Sequence, residues 1–348
     1  MKVSVIIPTY NRAQYICQAI ESVLQQTMKD YGVIVVDDGS TDNTREVITP
    51  YLDKIKYIYT DNCGPAHARN VGMKAATGEY ISWLDSDDLY YPYKLELQSA
   101  CLDKFQDVAM VCTEASAFDD SGYWDEYHLK KYHKSAYDNS DITYENIFSE
   151  NILLKDAGLD SGNWENRRIY VGNIFDMYFQ HLIVLTAGVM IRKNILEKIG
   201  FQNEKYWLFE EYDFVLRICK HYKAAFIDVP TYKLRYHRGQ ISATAKKDGI
   251  KTVIRKQERL LEIAEKYGFR DREYYSRNKD AVDKRLAILH KALAIPLLAK
   301  GNQPKIAREH LRKSAHYGHP DQFLFYLSFT PYAVRRIGIK AHSLLKMH

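Results

Sequence analysis

Within the first hundred residues one unit recurs. A short apolar, β-branched run stops at a polar cluster, and apolar residues at helical spacing follow. Residues 3–7 end at Pro8, after which Ile16, Ile20, Val23 and Leu24 fall on one helical face. Residues 33–36 run into Asp37, Asp38, Gly39 and Ser40, followed by a short polar-capped helix closed by Pro50. Residues 55–59 precede a helix carrying Ala68, Val71, Gly72 and Ala75, with Gly78 past its end, and residues 80–84 precede Asp85, Asp87 and Asp88. Alternation of this kind predicts an α/β fold with a mostly parallel sheet between helices. Ligands then sit at the carboxyl ends of the strands, where the three polar clusters must converge.

Later residues follow other rules. Residues 113–180 have weak periodicity and many aromatics, including Tyr123, Trp124, Tyr127, Tyr132, Tyr137, Tyr144, Trp164 and Tyr170, and read as a long, partly irregular insertion. Residues 182–191 are predicted as a strand, and 210–221 as a helix opening on two acids. Beyond about residue 250 only helices are expected: 255–267 ending at Gly268, 281–300 interrupted by Pro296, 304–317, and a final amphipathic basic stretch with Val334, Ile337, Ala341, Leu344 and Leu345 on one face. The expected division is a catalytic domain over 1–245 and a basic α-helical extension over 246–348.

Charge follows that division. The chain of 348 residues carries a net +5, but residues 251–348 hold 21 Lys and Arg against 9 Asp and Glu, a basic pole on an acidic body. The five cysteines are scattered and never spaced C-x-x-C, which excludes a disulfide framework or a zinc site and fits a reducing cytoplasm. The apolar run before Pro8 is too short for a signal-peptide core, and nowhere do 18 apolar residues run together.

The stretch "LDSDD" at 84–88 carries the chemistry. Three carboxylates at a strand end repel one another unless a cation is present, and such oxygens suit a hard ion, Mg²⁺ or Mn²⁺. The D-x-D spacing turns Asp85 and Asp87 to one side of an extended segment. An EF-hand is excluded, because Tyr90 stands where that loop requires Gly. The plainer reading is a capped turn before the helix that follows Pro92.

Five stretches together are similar to the family 2 glycosyltransferases: "VSVIIPTYNR" at 3–12, "VIVVDDGSTDNT" at 33–44, "GPAHARNVGMKAATGEYISWLDSDD" at 64–88, "FEEYDFVLRI" at 209–218 and "YHRGQIS" at 236–242. They occur in the family's order over about 245 residues. The resemblance implies a GT-A fold and transfer of a sugar, with inversion, from a nucleotide-diphosphate donor, typically a UDP-sugar. It places Pro8, Thr9, Tyr10 and Asp38 on the base and ribose, Arg69 on the nucleotide, Asp85 beside the ribose and Asp87 on the metal bridging the diphosphate, with His237 as a third metal ligand or phosphate contact. Asp88 is left to support the turn or cap a helix. The base that deprotonates the acceptor hydroxyl falls on the acid pair Glu210 and Glu211, position matching selecting Glu211. This chain has Glu where the family more often has Asp, so Glu210 stays open as the alternative. Asp213 is then structural or acceptor-orienting.

Two other classes compete with this reading. A sugar nucleotidyltransferase needs a Gly-rich basic loop after the first strand, where this chain has Pro8, Thr9, Tyr10 and Asn11, with Arg12 the only basic residue. A non-catalytic carbohydrate- or membrane-binding module would have lost an acid of the D-x-D or of the later pair, and both are present. Nucleic acid is not an expected partner, for the tail has no zinc, RNP or G-x-x-G signature. The tail either docks peripherally on the inner face of an anionic membrane, where lipid-linked acceptors are found, or packs as a helical subdomain or dimer element. The carbohydrate acceptor is expected to stack on the Tyr-rich insertion and near Trp207.

Overall fold

The computed structural model describes the chain except residues 135–141, 160–163, 165, 182, 184, 185, 207, 241–248, 300, 301 and 346–348, and the side chains of 336 and 340–345. The chain forms two compact units, Met1–His237 and Arg238–His348.

The first unit is built on one sheet of eleven strands: β1 (Val3–Thr9), β2 (Tyr31–Asp38), β3 (Lys56–Thr60), β4 (Tyr80–Trp83), β5 (Leu89–Tyr90), β6 (Val108–Asp119), β7 (Trp124–Asp125), β8 (Glu150–Leu153), β9 (Arg168–Gly172), β10 (Met190–Arg192) and β11 (Lys223–Tyr236). Their order is β3-β2-β1-β4-β10-β6-β11-β9-β8, with β5 on β11 and β7 on β6. β3, β2, β1 and β4 pair in parallel, as the alternation predicts. The rest of the sheet is mixed: β10 runs antiparallel to both β4 and β6, β11 is parallel to β6, and β9 is antiparallel to β11.

The parallel half is buried on both faces. All of β1 is buried, and the helix α1 (Ile16–Leu24) covers it with Ile16, Ala19, Ile20 and Val23. Helix α2 (Thr44–Ile48) follows β2. On the other side lies α3 (Pro65–Ala75), which approaches closely because its contact face is small: a Cβ on Gly72 would stand 2.3 Å from Ile6 Cγ2. Helix α4 (Lys94–Lys104) follows β5.

Three expectations are corrected. Residues 113–119 are not the start of an irregular insertion but the second half of β6, and the β8–β9 hairpin extends the same sheet. Of the strand expected over 182–191, the described residues form one only at Met190–Arg192, because Thr186–Gly188 coils into a 3₁₀ turn whose Gly188 carbonyl accepts from Gln98 Nε2 at 2.8 Å, and residues 182, 184 and 185 lie outside the described residues. Pro296 does not interrupt its helix, which runs Arg272–Ala299. Pro296 is buried near its end, and the non-helical residue is Asn278 (φ −127°, ψ 28°).

The second unit is helical: Ile250–Ala264, a π-helical turn Glu265–Phe269 that absorbs Gly268, Arg272–Ala299, Pro304–His316, Gln322–Leu327 and Tyr332–Leu345. Its core includes Leu261, Ile263, Val282, Leu286, Leu293, Leu311 and Leu324. No helix among the described residues is long and apolar enough to cross a membrane.

Candidate active site

The parallel strands deliver their polar ends to one edge, and side chains there lock the loops together. Pro8 and Thr9 close β1 and are buried, while Tyr10 is exposed. Asn11 takes a left-handed conformation (φ 51°), which turns its Oδ1 to accept from Thr41 N–H at 2.7 Å and Asp42 N–H at 3.2 Å. Its own N–H donates to Ser40 Oγ, and Arg12 N–H donates to Thr44 Oγ1. The buried Thr9 hydroxyl has no hydrogen-bond partner among the described residues.

In the turn after β2 the two aspartates divide the work. Asp37 accepts from Ser40 N–H at 2.8 Å and the Tyr57 hydroxyl at 2.7 Å, fixing the turn itself. Asp38 accepts from Cys63 N–H at 3.0 Å and Gly64 N–H at 2.8 Å, which ties β2 to the start of α3. Burial pushes the Asp38 carboxyl above its ordinary range, against those two amides.

Helix α3 then presents Arg69 to the acids. Its guanidinium is buried, with Nη2 3.0 Å from Asp85 Oδ1 and 2.8 Å from Glu211 Oε1, and Nη1 3.3 Å from Glu210 Oε1. Burial opposes its charge, but Glu211 and then Asp85 outweigh that and hold it cationic. The next residue, Asn70, receives Gln202 N–H at 2.9 Å and donates to Glu204 Oε1 at 2.7 Å, pinning the loop that leads to the acid pair. That loop ends at Phe209, a second non-glycine residue in the left-handed region (φ 63°), directly before the helix Glu210–His221.

The acid pair is split by environment. The Glu210 side chain is 7% exposed and that of Glu211 39%. Burial, and then the charge of Glu211, push the Glu210 carboxyl up to about 8, so Glu210 keeps its proton at neutral pH. Asp213 is buried and paired with Arg217 at 3.0 Å, a structural role.

The aspartate turn is held from the far side of the sheet. Asp88 does not cap α4, whose N-cap is Tyr93; instead its Oδ1 accepts from Arg235 N–H on β11 at 2.9 Å. Arg235 Nε donates to the Asp87 carbonyl at 3.0 Å, and its guanidinium is held by Asp120 and Gln18. Asp87 Oδ2 faces His237 Nε2 at 3.0 Å and Arg12 Nε at 3.3 Å, with the His237 ring against Tyr15. Within the chain, arginines stand against the crowded aspartates: Arg69 at Asp85, Arg12 at Asp87, and Arg235 at Asp88 and the Asp87 carbonyl. Among the described residues no three His, Cys, Asp or Glu side chains converge as a metal site; Asp87 and His237 form a two-donor pair.

All ten residues singled out in the sequence lie on these loops and strand ends or on the helices that follow them. Asp85, Arg69, Glu210 and Glu211 meet directly, Asp87 meets His237, and Pro8, Thr9, Tyr10 and Asp38 line the adjoining loops. Sequence reasoning missed Arg235, Asn11 and Gln18 and gave Arg12 no role. Of the expected acceptor aromatics, Tyr123, Trp124 and Tyr132 are exposed, Tyr144 and Tyr170 pack in a buried aromatic group with Phe226, and Trp207 and Tyr137 lie outside the described residues.

Residues 4–200 match the profile described as Glycosyl transferase family 2. The chain belongs to that family. An uncharacterised glycosyltransferase of Rickettsia typhi is 50% identical over 112 residues, 32% of this chain and 35% of that protein. One from Nostoc is 52% identical over 100 residues, 28% and 31% of the two chains. This family 2 member thus spans about a third of the length of the curated relatives it matches. Its fold is that of the GT-A glycosyltransferases. Staphylococcus aureus TarS 1–349 in complex with UDP-GlcNAc superposes with a TM-score of 0.53 at 17% identity over 99% of this chain and 92% of that one. The mannosyltransferase PcManGT from Pyrobaculum calidifontis, in complex with GDP-Man and Mn²⁺, gives 0.53 at 18% identity over 99% and 86%.

Proposed function

We propose that this protein is an inverting, metal-dependent glycosyltransferase that moves a sugar from a UDP-sugar to an acceptor hydroxyl in cell-surface polysaccharide or glycolipid biosynthesis. The observation that carries the reading is the Arg69 hub, which joins Asp85 of the D-x-D turn to the acid pair Glu210 and Glu211 within 3.3 Å. Donor-side and acceptor-side carboxylates thereby share one site.

Glu211 is the base in this reading. It is the more exposed of the pair, whereas Glu210 is buried and protonated at neutral pH, and a base must both reach the acceptor and be free to take its proton. The acceptor oxygen attacks the anomeric carbon opposite the diphosphate, its proton passes to a Glu211 carboxylate oxygen, and the C–O bond to the nucleoside diphosphate breaks. Asp38, fixed by two backbone amides, and the buried Thr9 hydroxyl offer polar contacts to base and ribose.

The residues fit a divalent ion. One carboxylate and one imidazole, Asp87 and His237, are the residues that would hold Mn²⁺ or Mg²⁺. When bound, such an ion stabilises the negative charge developing on the leaving diphosphate. TarS complexes with UDP and UDP-GlcNAc and the PcManGT complex with GDP-Man and Mn²⁺ support the donor and metal classes. The expected setting is the cytoplasm, with a carbohydrate or lipid-linked acceptor at the inner face of the membrane.

A donor screen with Mn²⁺ and Mg²⁺ tests this. Wild-type protein releases UDP from a UDP-sugar, Glu211→Gln loses roughly 10²–10⁴-fold in turnover, and Asp87→Ala loses metal-dependent turnover. Pyrophosphate in place of UDP indicates a nucleotidyltransferase; full activity in Glu211→Gln removes Glu211 as base.

A further inference from the structure

Each aspartate of the 85–88 turn has a positive or N–H partner, but the three are not held alike. Arg69 on Asp85 is buried and also serves Glu210 and Glu211, and Arg235, beside Asp88, is tied to Asp120, Gln18 and the Asp87 carbonyl. Arg12 on Asp87 sits differently. Its backbone is fixed by the Asn11 turn and by Thr44, while its guanidinium lies part-exposed over its own loop, Nη1 donating to the Asn11 carbonyl at 3.1 Å and Nε standing 3.3 Å from Asp87 Oδ2. That oxygen is the one facing His237 Nε2 at 3.0 Å. An ion bound between Asp87 and His237 and the Arg12 guanidinium therefore claim the same oxygen, and two cations so close repel strongly.

We propose that Arg12 is an internal counter-ion for Asp87: it holds the carboxylate in place in the free protein, yields it to the divalent ion, and turns to the diphosphate that arrives with that ion. The exchange makes metal binding weaker alone and tighter with nucleotide, since the diphosphate that accompanies the ion offers the displaced guanidinium an anionic partner in place of Asp87. Arg12 is a positioning residue acting through Asp87, and the proposal rests on Asp87 as a metal ligand.

Mn²⁺ binding to the full chain, followed by electron paramagnetic resonance with and without UDP, separates the two claims. Arg12→Gln is expected to bind Mn²⁺ alone about two- to fivefold more tightly than wild type, the scale of one partly exposed ion pair. The tightening produced by UDP should shrink by a similar factor. Arg12→Lys, which keeps the charge, should stay close to wild type, and unchanged melting curves verify folding. Equal or weaker Mn²⁺ binding by Arg12→Gln, with binding lost in Asp87→Asn, overturns the counter-ion role and leaves the metal reading standing. Wild-type Mn²⁺ affinity in Asp87→Asn, or no Mn²⁺ binding by wild type even with UDP, overturns the metal reading itself.

Discussion

Glu210 is a carboxyl that folding keeps protonated. Its ordinary value is 4.5 and in the folded protein it rises to about 8 because burial and Glu211 disfavour its charge. The unfolded chain therefore releases a proton that the folded chain retains, so this group lowers stability as pH rises from 4.5 to 8 and its cost is constant above that. Glu210→Gln should leave the melting temperature near pH 4 unchanged and raise it by a few degrees at pH 9. Thermal unfolding across that range checks the sign. Arg69 holds this buried, proton-bearing neighbour and the more exposed Glu211 on one guanidinium, so two adjacent glutamates stand in different environments.

At the scale of elements, legibility followed the chemistry of each strand. β1, β2 and β4 have buried, largely apolar faces, so their pattern stands out, and the polar residues ending them mark the site. β11, the longest strand, went unread because its carboxyl half carries Pro230, Thr231, Lys233 and Arg235, and the end of β6 because Thr113, Glu114 and Ser116 interrupt its apolar pattern. The motif acids were legible for the same reason, whereas Arg235 binds the aspartate turn from 148 residues away, a pairing no local spacing reports. Helices of the second unit hide a comparable long-range pair. His290 and His310 face each other Nδ1 to Nδ1 at 2.9 Å, with Tyr317 stacked on His290, and burial lowers both, His290 to about 3. A buried neutral His stabilises above its ordinary value of 6.5 and loses that contribution as pH falls toward the folded value. Hydrogen-exchange protection in Arg272–Ala299 and Pro304–His316, taken relative to the intrinsic exchange rate at each pH, should fall between pH 6.5 and 3, and His290→Asn should blunt that fall.

At the scale of the whole molecule, the basic second unit presents an apolar surface. Tyr326 is 69% exposed, Phe329 61% and Ile337 72%, with Arg308 over the Phe329 ring at 4.4 Å. Aromatic and aliphatic side chains bordered by arginine suit the headgroup level of an anionic bilayer. Vesicles containing phosphatidylglycerol should carry the full chain upward in a flotation gradient, and the triple change Tyr326→Ser, Phe329→Ser, Ile337→Ser should cut that binding about tenfold or more; equal flotation of the two proteins sinks membrane docking. The strand order of the first unit has its own consequence for how the protein is made. β10 sits between β4 and β6 yet is translated after both. Until residue 192 is made, the strand that joins β4 to β6 is missing, and neither edge can take its final partner. Edges left open until then are where the growing chain is most exposed to pairing with another chain.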